Sequence, residues 1–197
     1  MTEEHNNLRI KQLINASIDV KTRILNDEAI IDMIQKSTIL ITEAFRSGHK
    51  VLFCGNGGSA ADAQHLAAEF SGRFYKDRRA LPAEALHTNT SYLTAVANDY
   101  SYDVIYSRLI EGIGQPGDVL FLLSTSGNSQ NIVNAALAAR DRQMISIGLT
   151  GSKGGKLNGL CDHLIHVPSD DTPRIQEAHI LIGHIICQMV ESAYFGY

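Results

Sequence analysis

The chain has 197 residues, 44% of them hydrophobic and 19% charged, which is the size and balance of an ordinary globular domain and excludes a disordered, collagenous or fibrous protein. Its 17 Lys and Arg against 21 Asp and Glu give a formal charge of -4, so no overall attraction to nucleic acid or to an anionic membrane surface is expected. Any anionic ligand has to be caught by a local device, and the 16 glycines against 4 prolines indicate where to look.

The first residues, MTEEHNNLRIKQL, carry two acids and no apolar run of signal-peptide length, and no stretch of about 20 apolar residues offers a membrane span. Cys54, Cys161 and Cys187 are odd in number and widely spaced with no CxxC, which supports neither a disulfide framework nor a Cys zinc finger. A soluble protein of the reducing cytoplasm is therefore expected.

Ile10, Leu13, Ile14, Ile18, Ile24 and Leu25 recur at helical spacing between Asn7 and Asn26, and Ile30, Ile31, Ile34, Leu40, Ile41 and Phe45 do so before Gly48. Two long N-terminal helices follow from this pattern. Next, the apolar run Val51 to Cys54 leads through Gly55-Asn56-Gly57-Gly58-Ser59 into an Ala-rich helical stretch ending near Phe70. The same design returns at Val119 to Leu123, where Ser124-Thr125-Ser126-Gly127-Asn128-Ser129 leads into a helix over Gln130 to Arg140. Met144 to Leu149 and His163 to Val167 read as strands, Ala83 to His87 as a weaker one, and a closing helix runs from about Arg174 to Tyr194. Strands alternating with helices predict an α/β fold, a three-layer α/β/α sandwich around a parallel sheet of about five strands. No linker or composition shift divides the chain, so one domain over 1–197 is expected, with 1–48 as the helical pair and 49–197 as the α/β core.

In such a sheet, ligands bind beyond the carboxyl ends of the strands, where free helix N-terminal amides suit an anion. Both loops fall there. The Gly55–Ser59 loop lets backbone approach a phosphate but is neither GxGxxG nor GxxxxGK[ST], so nucleotide binding is not indicated. In the second loop, Ser124, Thr125, Ser126 and Ser129 place four hydroxyls in six residues just before a helix. Each alone is explained by capping or a turn, but four beside a glycine favour a phosphate monoester cradle.

Downstream of the first loop, His65 and Glu69 stand one helical turn apart on one face, a spacing that suits a shared divalent ion or an acid–base pair and is also common on solvated helix surfaces. On the closing helix Gln176 and His184 lie about 80° apart around the axis, whereas His179 lies about 140° from His184 and does not join them. His5, His49, His87, His163 and His166 have no partner at ligand spacing and read as surface, turn or sheet residues.

Together, GNGGSAADAQHLAAE at 55–69, NDYS at 98–101, STSGNS at 124–129, LTGSKGG at 149–155 and RIQEAHILIGH at 174–184 resemble the sedoheptulose 7-phosphate isomerases (phosphoheptose isomerases) of the sugar isomerase, or SIS, fold, over nearly the whole chain. The resemblance implies conversion of sedoheptulose 7-phosphate to D-glycero-D-manno-heptose 7-phosphate through an enediol, at the first step of bacterial ADP-heptose precursor synthesis. It implies that Asn56, Gly57, Gly58, Ser59, Asn98, Asp99, Ser124, Thr125, Ser126 and Ser129 contact the sugar phosphate. It further implies one zinc ion on His65, Glu69, Gln176 and His184, with Glu69 and Gln176 also facing substrate, and a homotetramer with active sites between subunits whose core includes the N-terminal helices. Gln176 as a ligand is inherited from the resemblance alone, because an amide is an uncommon zinc ligand. Glu69 and His184 are the expected acid–base pair, and Asp99, in a loop, would assist ring opening or orient a hydroxyl. Where some relatives place a substrate-touching acid before RIQE, this chain has Pro173, with Asp170 and Asp171 nearby, and no role is carried over. Non-catalytic members of the fold, which bind sugar phosphates or associate with a replication initiator, are the alternative. Those of the replication-regulatory type lack the Glu and the last-helix His that this chain keeps as Glu69 and His184.

Overall fold

In the computed structural model, which describes residues 3–197, the elements run α1 (Glu3–Leu25), α2 (Glu28–Arg46), β1 (Val51–Gly55), α3 (Gly58–Ser71), β2 (Ala83–Ala85), α4 (Thr90–Asp99), α5 (Ile105–Ile113), β3 (Val119–Leu123), α6 (Gln130–Asp141), β4 (Ile145–Thr150), β5 (His163–His166) and α7 (Thr172–Phe195). Residues 1 and 2 of the expected span lie outside this description. The five strands form one parallel sheet in the order β2-β1-β3-β4-β5, as the alternating pattern predicts. Two segments show helices that the sequence reading did not assign. α4, rich in Thr, Val and Ala with only Val96 buried, starts where Asn89 accepts a hydrogen bond from the Tyr92 amide. α5 buries Ile105, Tyr106 and Ile110.

Alternation along the strands feeds two cores. Val51 and Phe53 of β1 with Val119, Phe121 and Leu123 of β3 face the layer that holds α2, α3 and α7, while Leu52, Cys54, Leu120 and Leu122 face α5 and α6. Phe53 and Phe121, paired in register, pack with ring centroids 5.3 Å apart, and Phe70 of α3 packs on Phe53 at 6.2 Å. Burial on both faces is what a parallel sheet requires, since its edges alone meet solvent.

α1 departs from the expected pattern. Only Val20 and Ile24 join the core, whereas Ile10, Leu13, Ile14 and Ile18 are about half exposed and form an apolar stripe along the helix. Among the described residues, no helix is long and apolar enough to cross a membrane.

The chain leaves β1 toward β2 on one side and leaves β3 toward β4 on the other. The loops after β1 and β3 therefore diverge at the switch point of the sheet, where a crevice opens at the carboxyl ends of the strands.

Candidate active site

The two loops meet in that crevice. Asn56, Ser59, Leu123, Ser124, Thr125, Ser129 and Gln176 line a small cleft of about 110 Å³. The sharp turn into α3 passes through Gly57, whose φ of 55° is a conformation that glycine adopts without strain, and no side chain caps the helix start. Ser129 occupies the N-cap position of α6 but makes no capping hydrogen bond, and the Ser124 hydroxyl is buried without a partner. Capping therefore does not account for these two hydroxyls. Ser126 is used differently. Its hydroxyl accepts the Asn128 amide at 3.1 Å, and it lines a neighbouring cleft with Lys153 and Asp170.

The cleft is braced by residues that motif reading misses. Asn131, 2% exposed on α6, exchanges both side-chain amide hydrogen bonds with Asn56 at 2.8 Å, and the Tyr102 hydroxyl donates to Asn56 at 3.2 Å. Asn131 lies in the first turn of α6, just past the serine loop, and its pairing with Asn56 is a contact between segments 75 residues apart that no local pattern announces. Asn98 and Asp99 do not line the cleft. They end α4 rather than sitting in a loop, and the Asn98 amide donates to the Asp99 carboxylate at 2.9 Å. Tyr102, three residues beyond Asp99, provides the connection from this segment to the cleft.

The second feature lies along the helices. α3 and α7 run side by side in the same direction. Gly58 abuts the Gln176 side chain so closely that an added Cβ would sit 2.7 Å from Nε2, and Gly183 abuts Leu66 in the same way at 2.7 Å from Cδ2. One helical stretch further from the cleft, His65 Nε2 lies 3.2 Å from Glu69 Oε1 and 2.9 Å from His184 Nε2. These three side chains offer ligand atoms that lie within 4.8 Å of one another. Two imidazole nitrogens and a carboxylate oxygen are a donor set that suits a divalent ion such as zinc. Burial, and then the neighbouring His65, lowers the His184 pKa below the ordinary imidazole value, against the raising effect of Glu69. Both lowering effects favour the neutral imidazole, which can donate from one nitrogen and accept at the other. Gln176, two turns before His184, lines the cleft. His179, as the helical wheel predicts, is turned away and fully buried.

A family model described as SIS domain matches residues 14–151. Over 186 residues, 94% of each chain, the sequence is 52% identical to a phosphoheptose isomerase of Aneurinibacillus thermoaerophilus. This chain belongs to the SIS-domain phosphoheptose isomerases. Solved phosphoheptose isomerases bear this out in three dimensions. The one from Neisseria gonorrhoeae superposes with a TM-score of 0.89 at 41% identity, covering 94% of this chain and 98% of its own. The one from Francisella tularensis gives 0.91 at 34% identity, covering 98% and 100%. The fold expected from the strand and helix order is the fold of these phosphoheptose isomerases, and an enzyme of the sugar phosphate isomerase class follows from membership.

Proposed function

We propose that this isomerase interconverts sedoheptulose 7-phosphate and D-glycero-D-manno-heptose 7-phosphate through an enediol, as the first step of ADP-heptose precursor synthesis in a bacterial cytoplasm. The observation that carries the reading is the shared direction of α3 and α7. Both begin at the hydroxyl-lined cleft and both reach the His65–Glu69–His184 cluster, about 9 Å further along α3 from Ser59 and about 12 Å along α7 from Gln176 at 1.5 Å per residue. That separation is on the scale of an extended phosphosugar, with the phosphate held at one end and the carbonyl carbons at the other.

At the cleft, Ser124, Thr125 and Ser129 with Ser59 and the amides at Gly57 and Gly58 hold the phosphate, and Asn56 is kept in place by Asn131. This remote binding fixes the reacting end, so that proton transfer occurs within a bound complex. Glu69 takes the proton from the carbon beside the carbonyl and returns it to the neighbouring carbon. His184 gives a proton to the carbonyl oxygen and recovers one from the adjacent hydroxyl, each residue ending the cycle in its starting form. Asp99, at the end of α4 and outside the cleft, keeps the role that the resemblance implies, assisting ring opening or orienting a hydroxyl, and accepts a hydrogen bond from Asn98. His65, Glu69 and His184 would hold zinc, with Gln176, whose amide lies against Gly58 at the cleft, as the fourth ligand that the family resemblance implies. Bound there, the ion supplies charge stabilisation to the carbonyl oxygen and the developing enediolate. The apolar stripe on α1 packs against other copies in a homotetramer that brings active sites to subunit interfaces.

Isomerisation in D2O tests the enediol. Because the proton held on Glu69 exchanges with solvent in competition with its return, deuterium should appear at the carbon next to the carbonyl of the product and accumulate there as the reaction is held at equilibrium, and product that stays free of deuterium throughout would contradict it. A purely regulatory role is disfavoured because Glu69 and His184 are both present and in contact through His65.

A further inference from the structure

Beyond the cluster, the seam between α3 and α7 is closed by a buried charge pair that the reaction itself does not use. Glu191 is 1% exposed, on the same face of α7 as His184 two turns earlier. Its carboxylate accepts hydrogen bonds from the backbone amides of Phe74 at 3.1 Å, Tyr75 at 2.9 Å and Lys76 at 3.3 Å, and from Arg78 Nε at 2.9 Å. The rest of the Arg78 guanidinium donates to the carbonyls of Phe70 at 2.7 Å, Gly72 at 2.8 Å and Glu69 at 2.7 Å, the acceptors that the end of α3 leaves without intrahelical partners. Between these anchors, Phe74 projects from a loop whose other residues, Arg78 apart, are exposed, and places its ring centroid 5.7 Å from that of His184.

We infer that Arg78 and Glu191 are positioning residues that hold Phe74 against His184 and fix the last turn of α3, setting the geometry between Glu69 and His184. The inference rests on the assignment of Glu69 and His184 as the acid–base pair. Neither Arg78 nor Glu191 touches that pair with its charged group. Arg78 reaches Glu69 only through the backbone carbonyl, and Glu191 reaches His184 only through Phe74. A buried pair satisfied by three amides and three carbonyls also resists rearrangement, because moving it would strand charge in the interior.

Phe74→Leu removes the ring and leaves the amide–carboxylate bonds intact, so it isolates the contact on His184. The expected result is an unfolding midpoint close to that of the parent, with kcat reduced about tenfold and KM within about twofold, since misplaced reacting groups affect turnover more than binding. Glu191→Gln should lower kcat in the same sense and add little when combined with Phe74→Leu, because the two act through one contact. In NMR spectra of the histidine side chains, the His184 resonances should move in both variants, a signature that general destabilisation does not produce. Unchanged kcat in Phe74→Leu, or His184 resonances that stay in place in Glu191→Gln, would overturn the inference. If Glu191→Gln does not fold, Phe74→Leu and its His184 resonances decide the matter alone. Glu69→Gln is the control. Full turnover in that variant would instead overturn the acid–base assignment.

Discussion

His65 Nε2 and His184 Nε2, from positions 119 residues apart in sequence, lie 2.9 Å apart where α3 and α7 run side by side. Two imidazoles that close cannot both be charged without mutual repulsion, and the lowered pKa of His184 reflects this neighbour after burial. With Glu69 Oε1 3.2 Å from His65, the arrangement suits a cation between the groups better than two protonated rings.

The first prediction concerns that cation. Dialysis against a strong chelator should remove activity and added zinc should restore it, while His65→Ala and His184→Ala should each lose stoichiometric zinc in metal analysis. Retained zinc in both variants would place the ion elsewhere.

Ser124 separates binding from stability. Its hydroxyl is buried with no partner, so Ser124→Ala removes no hydrogen bond of the ligand-free protein and should leave the unfolding midpoint unchanged or slightly higher. Sugar phosphate binding, measured by calorimetry, should weaken by about 1.5–3 kcal/mol, the usual range for a hydrogen bond to a charged group. A variant that is less stable but binds normally would assign Ser124 to the fold rather than to the phosphate.

Gly127 and Gly57 offer a matched pair. Both have positive φ, 63° and 55°, but a Cβ on Gly127 would fall on the carbonyl oxygen of Gly154, whereas one on Gly57 meets nothing within 4 Å. Gly57, with ψ of -121°, lies outside the left-handed helical region, so Gly57→Ala should cost the backbone strain of a conformation that favours glycine, about 1–3 kcal/mol, and no clash. Gly127→Ala should cost more than that in urea titrations, because the serine loop and the loop after β4 must separate.

Acid sensitivity should trace in part to His179. Burial pushes its pKa down to about 4 from the ordinary 6.5, so the unfolded chain takes up the proton first. The sign follows directly. Stability from this group is complete above about pH 6.5 and declines as pH falls toward 4, by about 2 kcal/mol at pH 5. His179→Met should flatten the stability profile over that window, and a profile as steep as the parent's would show that other groups carry it.

The strand–loop–helix units at Val51 and Val119 were legible because a parallel sheet writes its buried strands as continuous apolar runs, and glycine or serine clusters mark where they end. His65 and Glu69 were legible for a local reason, being one turn apart on α3. Their meeting with His184 followed from the family resemblance and not from any local pattern, since it depends on two helices packing through Gly183 against Leu66. Asn131 and Tyr102 were missed because each acts through Asn56 from another segment. In α1 the helical period was correct, but period alone does not say that Ile10, Leu13, Ile14 and Ile18 would lie outside this chain's own core.

The central claim is that Glu69 and its histidine partners act on a heptose phosphate held by the serine loop. Its most direct test is incubation of the purified, zinc-saturated protein and its Glu69→Gln variant with sedoheptulose 7-phosphate, with the sugar phosphates separated and quantified. The parent should form D-glycero-D-manno-heptose 7-phosphate until equilibrium is reached, and the variant should bind the substrate but turn over at least about 100-fold more slowly. Absence of heptose product from the parent, or equal turnover in the variant, would contradict the account.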